Sequence, residues 1–488
     1  MSGDGIQQLR MTTGVPGLDE VLHGGFISGR TYLLTGPPGG GKTTFGWHFL
    51  TSGVALGESA MFVTFGESER ELRANAKEMG FDTAGVEFCD LSPSSDLFEK
   101  IRSYDIFSAA EVELEPTTER IIEAVERVKP NRIFIDSMTA LRYLAKDAPE
   151  FRRQTLSFLR YLLATGSCIV MTSERSLEAP DDDLRFLSDG VIELDPDVVR
   201  RTLRVTKLRG SDYEGGMHTV RLTAKGAIVY PRLVPRQHSR EFAPEQLSWG
   251  LPTLDALTKG GIERGTITLI TGPSGIGKTT VGMQFVKEAA AQGHRSAAYT
   301  FDEPRATLLR RCESVGTPVM DMLDQGTLSV KYVEALQYSD DEFANMVRRD
   351  VEEFGTRVVM IDSISGYKLA VRGEDLTERL HALCRYLQNV GVTVLLINEV
   401  LNVSDFRITE IGVSYLADNV IFMRYVEQKT AHRAEIGRVL GVLKKRLSDF
   451  ERCIYTFELT DTGLVFGKAV SDFSGLFGAV PPVERSEA

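Results

Sequence analysis

The sequence predicts an α/β fold built twice: two tandem domains, each a mostly parallel sheet flanked by helices. Three observations carry that reading. First, "TGVPGLDEVLHGGFISGRTYLLTGPPGGGKTT" (13–44) aligns without a gap to "WGLPTLDALTKGGIERGTITLITGPSGIGKTT" (249–280), at a shift of 236 residues. Second, short apolar runs alternate with amphipathic patterns in each copy, as a parallel sheet with covered faces requires. Third, a glycine-rich phrase stands between strand and helix in both copies, "GPPGGGKTT" at 36–44 and "GPSGIGKTT" at 272–280.

In order along the first copy, "RTYLLTG" reads as a strand, running through the glycine loop into the helix "KTTFGWHFLTSGVAL". "SAMFVTF" is a second strand, and "ERELRANAKEMG" a helix closed by glycine. "RIFIDS" and "CIVMTS" are two further buried strands on either side of the helix "EFRRQTLSFLRYLLATG". The second copy answers with "AAYTFDEPRATLLRRCESVG" and "VVMIDSISGY". Such sheets bind ligands at the carboxyl ends of their strands, where each of these motifs falls.

The repeat is too long for a solenoid and reads as a duplicated domain. Domain boundaries are predicted at 1–232 and 249–470, with a Pro-rich linker at 233–248 and a flexible tail at 471–488. Composition is that of a globular chain, 42% hydrophobic and 25% charged, with a net charge of −12. That balance disfavours nucleic acid as a partner. No secretory h-region and no run of ~18 apolar residues is present, so neither secretion nor a membrane span is expected. The five cysteines are scattered without metal-ligand spacing, which suits reduced thiols in the cytoplasm.

Gly36-x4-Gly41-Lys42-Thr43 and Gly272-x4-Gly277-Lys278-Thr279 satisfy the P-loop pattern. Backbone N–H groups of such a turn, with Gly39, Gly40 and Gly275 inside it, curl around phosphate oxygens. Lys42 and Lys278 are placed for the β- and γ-phosphates, Thr43 and Thr279 for Mg²⁺, and Thr44 and Thr280 complete the helix start. ATP with Mg²⁺ is the expected ligand. Asp136 ends "IFID" and Asp362 ends "VMID", strand-end acids suited to the metal's water shell. Glu67 in "TFGES", and Asp302 and Glu303 in "TFDEP", are candidates to orient or deprotonate a nucleophile; a helix N-cap acid is the plainer role.

With those residues in view, the chain resembles the KaiC family, double-ring ATPases and autokinases of the RecA-like superfamily, over about residues 7 to 470. The "TGVPGLDEVLHGG" entry to the domain, the acids after "TF", the "IDS" strand ends, "MTSER" (171–175), "KLRGSD" (207–212) and "RYVE" (424–427) carry the likeness. The resemblance implies two tandem RecA-like P-loop domains and a homo-hexamer with ATP at subunit interfaces. It implies slow hydrolysis in the first ring and autophosphorylation in the second. Lys207 and Arg209 would reach a neighbour's γ-phosphate, as would Lys444 and Arg446 in the second ring. The phosphoacceptor segment corresponds to "ITEIGVSYLADNVIFMRYVE" (408–427), with Ser414 at the serine position and Thr409 at an upstream threonine.

Three departures from the family pattern stand out. Tyr415 replaces the threonine acceptor, and a phenol suits a phosphate placed for threonine poorly. Gly66 replaces the first glutamate of the first ring, leaving Glu67 alone. Asp302 is one methylene shorter than its family counterpart. The tail is not convincingly similar to one that docks a regulator, so a KaiA-like or KaiB-like partner stays open. Two other functions share the architecture: a DNA-handling RecA-like recombinase or helicase, disfavoured by charge, and a nucleotide-gated scaffold without turnover.

Overall fold

A computed structural model describes residues 9–92, 109–144, 147–174, 180–196, 200–373, 375–400, 415–429 and 434–470. The chain divides into two compact units, Met1–Arg232 and Leu233–Ala488.

The principal strands of the first unit are β1 (Thr31–Gly36), β2 (Ala60–Thr64), β3 (Val86–Asp90), β4 (Arg132–Asp136), β5 (Cys168–Glu174), β6 (Gly190–Pro196), β7 (Arg201–Leu208), β8 (His218–Thr223) and β9 (Gly226–Tyr230). They form one sheet in the order β3-β2-β4-β5-β1-β6-β7-β8-β9. The first six in that order are parallel, and the last three continue the sheet antiparallel. Helices α1 (Lys42–Ala55), α2 (Glu69–Glu78), α3 (Ala109–Val128), α4 (Ala148–Ala164) and the short α5 (Asp182–Leu187) connect the parallel strands.

Both faces of the central strands are buried, which is why their sequences are continuously apolar rather than alternating. In β4, Phe134 faces one core with Trp47, Phe49 and Phe62, while Ile133 and Ile135 face the other with Met61, Leu159 and Leu162.

The second unit repeats this plan. Its strands are β10 (Ile267–Gly272), β11 (Ser296–Thr300), β12 (Leu328–Tyr332), β13 (Val358–Asp362), β14 (Thr393–Glu399), β15 (Asn419–Lys429), β16 (Ala434–Lys445), β17 (Ile454–Thr460) and β18 (Gly463–Ala469). The order, β12-β11-β13-β14-β10-β15-β16-β17-β18, is the first unit's order strand for strand. Its main helices are α6 (Lys278–Ala291), α7 (Arg305–Ser314), α8 (Asp340–Glu352) and α9 (Leu376–Asn389). Two tandem RecA-like domains of mostly parallel sheet are therefore present.

The stretch 233–248, read as a linker, is held against the second unit. Leu233 is buried in that unit's core. The Asn389 side chain donates to the Pro235 carbonyl at 2.9 Å, and the Arg240 N–H donates to the Asn389 carbonyl at 3.0 Å. The expected tail, 471–488, lies outside the described residues.

Candidate functional site

The glycine loop of the first unit turns out of β1, the central strand, between β5 and β6. Gly39 and Gly41 take φ values of 75° and 96°, and Gly275 and Gly277 take 75° and 112°, a left-handed backbone that favours glycine. Gly36 and Gly272 are small for a second reason: a Cβ would lie 2.4 Å from the Leu194 carbonyl oxygen and 2.6 Å from that of Met423, respectively. Helices α1 and α6 begin at the two lysines with no side-chain cap, unlike α2, whose N-cap Ser68 forms a capping box with Glu71. Uncapped N–H groups at the mouth of a loop are what an anion would satisfy.

Lys42 is buried and donates to the carbonyls of Gly36 at 2.8 Å and Pro37 at 3.0 Å. Lys278 donates to the Pro273 carbonyl at 2.8 Å. Burial lowers the pKa of both ammonium groups; Glu174 and Asp136 oppose this for Lys42, and Glu399 and Asp362 for Lys278. A desolvated cation facing a glycine-rich turn fits a polyphosphate. Thr44 and Thr280 sit deeper, and the Thr44 hydroxyl packs on the Met79 sulfur at 3.9 Å.

The Thr43 hydroxyl donates to Asp136 at 2.7 Å, joining the first helical turn to the end of β4. A second hydroxyl, Thr172 on β5, donates to the other Asp136 oxygen at 2.6 Å. In the second unit Thr279 donates to Asp362, but Ile397 stands beside Asp362 in the parallel register. Burial pushes the Asp362 carboxyl up to about 6, with the Thr279 bond pulling the other way. A threonine hydroxyl beside a strand-end carboxylate is a donor set suited to Mg²⁺ together with phosphate oxygens and water. Among the described residues no group of three or more His, Cys, Asp or Glu side chains gathers to hold a metal by itself.

The carboxylates after the second strand fall into distinct settings. Glu67 precedes the α2 cap rather than forming it; its side chain lies 3.4 Å from the Asn75 amide. Asp302 accepts from Ser363, the residue following Asp362, at 3.0 Å. Glu303 is paired with Arg311 at 2.7 Å.

Sequence reasoning missed two acids. Glu174 ends β5 in register with Gly36, and Glu399 ends β14 in register with Gly272. The available signal was an acid two or three places beyond an apolar run, where Asp136 follows its run directly.

Arg209 and Arg446 lie at the opposite end of each sheet, while Lys207 and Lys444 are in register, through Val191 and Val420, with Leu33 and Leu269. The Asp189 backbone N–H donates to the Thr31 carbonyl at 2.8 Å, at the start of β1, and the Arg209 N–H donates to the Asp189 carbonyl at 2.8 Å. Lys207 donates to the Arg185 and Phe186 carbonyls at 2.7 and 3.1 Å, and the half-exposed Arg209 guanidinium lies 3.9 Å from the Asp189 carboxylate. The second unit repeats this: Lys444 donates to the Ala417 carbonyl at 2.5 Å, and Arg446 to Asp418 at 3.1 Å. Burial and the neighbouring arginine lower the pKa of Lys207 and of Lys444. From Thr31 to Gly36 is five strand steps, about 17 Å, and from Leu33 it is three, about 10 Å, with β6 lying between β7 and β1. Neither basic pair reaches its own unit's glycine loop.

Ser414 and Thr409 lie outside the described residues. Tyr415 is exposed, its ring 5.7 Å from that of His381.

A family model described as "ATPase: KaiC" matches residues 11–234 and again 247–471. The chain belongs to the KaiC family. It is 28% identical to the circadian clock oscillator protein KaiC of Prochlorococcus marinus, over 98% of this chain and 96% of that protein. The KaiC of Synechococcus elongatus is also 28% identical, over 97% of this chain and 92% of the relative. So is the circadian clock protein KaiC3 of Synechocystis, over 98% and 95%. The chain is thus a KaiC-like ATPase with two tandem domains. No helix among its described residues is long and apolar enough to cross a membrane.

Proposed function

We propose that this KaiC-family chain works as a hexamer of two stacked rings, in which ATP·Mg is held between neighbouring protomers. The ring hydrolyses ATP and phosphorylates itself on Ser414, acting as a timing or signalling switch in the cytoplasm. One observation carries the reading: each unit's phosphate loop opens from the end of β1 or β10, whereas its Arg209 or Arg446 lies by the start of that strand and its Lys207 or Lys444 is in register, across the intervening strand, with the strand's third residue, Leu33 or Leu269. Both elements serve one nucleotide only if a second chain supplies one of them, as an arginine finger does.

In each pocket the glycine loop and lysine bind the triphosphate, with Lys42 or Lys278 giving up its carbonyl partners to phosphate oxygens. Thr43 with Asp136, and Thr279 with Asp362, would hold Mg²⁺, which would supply charge compensation for the transferred phosphoryl group. Glu67 orients water in the first ring. In the second, Asp302 is the better placed base, because Glu303 is engaged by Arg311 while Asp302 accepts only a neutral hydroxyl in the contacts described. The Lys207/Arg209 and Lys444/Arg446 pairs of the neighbouring protomer stabilise the transition state.

The relatives are described as clock proteins. Here a tyrosine replaces the second acceptor, which favours a switch with one phosphorylation step. Native mass measurement with and without ATP·Mg, followed by phosphopeptide mapping, tests both parts. The expected results are a nucleotide-dependent hexamer and phosphate on Ser414. A hexamer without phosphate at 408–427 would leave an ATPase switch and refute the autokinase step.

A further inference from the structure

The first unit contains a polar connection between its own phosphate loop and the lysine it offers to a neighbour. It begins at Thr35, the last residue of β1 before Gly36. The Thr35 hydroxyl donates to the carboxylate of Asp181, a side chain only 3% exposed at the head of α5. The other Asp181 oxygen accepts from Arg185 Nε at 2.7 Å, one turn along α5. Arg185 in turn meets Glu193 at 2.5 Å, and Glu193 is the β6 residue in register with Thr35. The foot of the same helix presents the Arg185 and Phe186 carbonyls, which accept from Lys207 Nζ. Helix α5 therefore bridges Thr35, at the glycine-loop end, and Lys207, which is in register through Val191 with Leu33.

This arrangement has a mechanical consequence. A six-residue helix is too short to bend, so a shift of its head moves its foot. The head is fixed to β1 by a buried charged hydrogen bond, the kind that resists stretching. The foot holds the lysine through two carbonyls. A polyphosphate entering the loop would draw Lys42 away from the carbonyl of Gly36, the residue directly after Thr35.

We infer that Thr35, Asp181 and Arg185 are positioning residues that set the pose of Lys207 according to the occupancy of their own chain's pocket. Each filled pocket then prepares the finger for the next pocket around the ring. This rests on the reading that Lys207 and Arg209 act across the interface. It adds a direction to it: coupling runs through α5.

The test uses the full chain carrying Asp302→Asn and Glu303→Gln, so that turnover reports the first ring while both rings bind nucleotide. In this parent, ATP hydrolysis is expected to be cooperative, with a Hill coefficient above 1. Thr35→Val removes one hydroxyl at constant shape. It is expected to reduce the Hill coefficient to 1 and kcat about tenfold, since small misplacements of a reacting group are costly. Nucleotide affinity should stay within about twofold of the parent. Thr35→Ser, which restores the hydroxyl, should restore both parameters. If Thr35→Val does not fold, as judged by Trp47 fluorescence in a Trp249→Phe background, Asp181→Asn must show the same split of kcat from affinity. Arg209→Ala, measured in parallel, separates the two claims. If it leaves turnover intact, the cross-interface reading fails and takes this inference with it. If it abolishes turnover while Thr35→Val or Asp181→Asn behaves like the parent, or changes affinity alone, the coupling through α5 is refuted. A non-cooperative parent would refute it too.

Discussion

The two metal acids differ by one hydroxyl, and that difference has a measurable cost. Asp136 accepts from Thr43 at 2.7 Å and from Thr172 at 2.6 Å, whereas Asp362 has Ile397 where Thr172 would stand. Replacing Thr172 by Val keeps the shape of the fully buried side chain and removes only the donor. A hydrogen bond to a charged acceptor contributes about 1.5–3 kcal/mol. Loss of an outer partner of a metal-holding carboxylate lowers metal affinity roughly 10–100-fold. The two estimates agree, so Thr172→Val should raise the Mg²⁺ concentration for half-maximal turnover of the first site by at least about tenfold. The assay is a Mg²⁺ titration at saturating ATP in the Asp302→Asn/Glu303→Gln chain. Circular dichroism, and Trp47 emission in a Trp249→Phe background, would confirm that the unit stays folded. The converse change, Ile397→Thr, should tighten Mg²⁺ dependence of the second site. If Thr172→Val leaves the titration where it was, the second hydroxyl plays no part in holding the acid, and the reasoning is wrong.

Lys42→Ala and Lys278→Ala should each weaken ATP·Mg binding in their own unit roughly 10–100-fold, because a charged donor worth about 1.5–3 kcal/mol is lost; unchanged affinity by equilibrium dialysis would contradict the assignment. The first unit should also lose stability in mild acid. His48 accepts the Ala227 N–H at 2.9 Å, and His218 accepts the Arg232 N–H at 3.0 Å while facing the Glu214 carbonyl; burial lowers the pKa of both. Since the folded pKa lies below the unfolded value, stability is complete above about pH 6.5 and falls as pH drops, by up to about 2.7 kcal/mol per pH unit for two protons. The chain has two tryptophans, so Trp249→Phe leaves Trp47 as the reporter of the first unit in denaturant melts. A flat profile between pH 7 and 5 would refute this account of the two imidazoles.

What could be read from the sequence was what depends on local spacing. The glycine loops need fixed intervals, and Asp136 and Asp362 end recognisable apolar runs, so the loops, their lysines and the strand-end acids were legible. The parallel strands were legible for the same reason: each has both faces buried and reads as a continuous apolar run. What was not legible depends on register across strands. Glu174 and Glu399 matter only because β5 and β14 lie beside the loop strands. Thr172 and Ile397 look alike in a buried run, yet one donates a hydrogen bond and the other does not. The role of Ser68 as the α2 cap, which leaves Glu67 to other uses, also needed coordinates, since both residues suit a helix start. The basic pairs could be spotted by resemblance, but the anchoring of Arg209 at Asp189 and Arg446 at Asp418, far from their own glycine loops, follows from the antiparallel return of β7 and β16.

The central claim is that each pocket is completed by another chain, and complementation between two inactive variants tests it most directly. Lys42→Ala/Lys278→Ala chains lack the phosphate lysines; Arg209→Ala/Arg446→Ala chains lack the fingers. Each alone should hydrolyse little ATP. Co-assembled at equal ratio, about a quarter of interfaces pair an intact loop with an intact finger, so about a quarter of wild-type turnover should return. Mixed assemblies seen by native mass spectrometry, with turnover no higher than the sum of the two parents, would contradict the account.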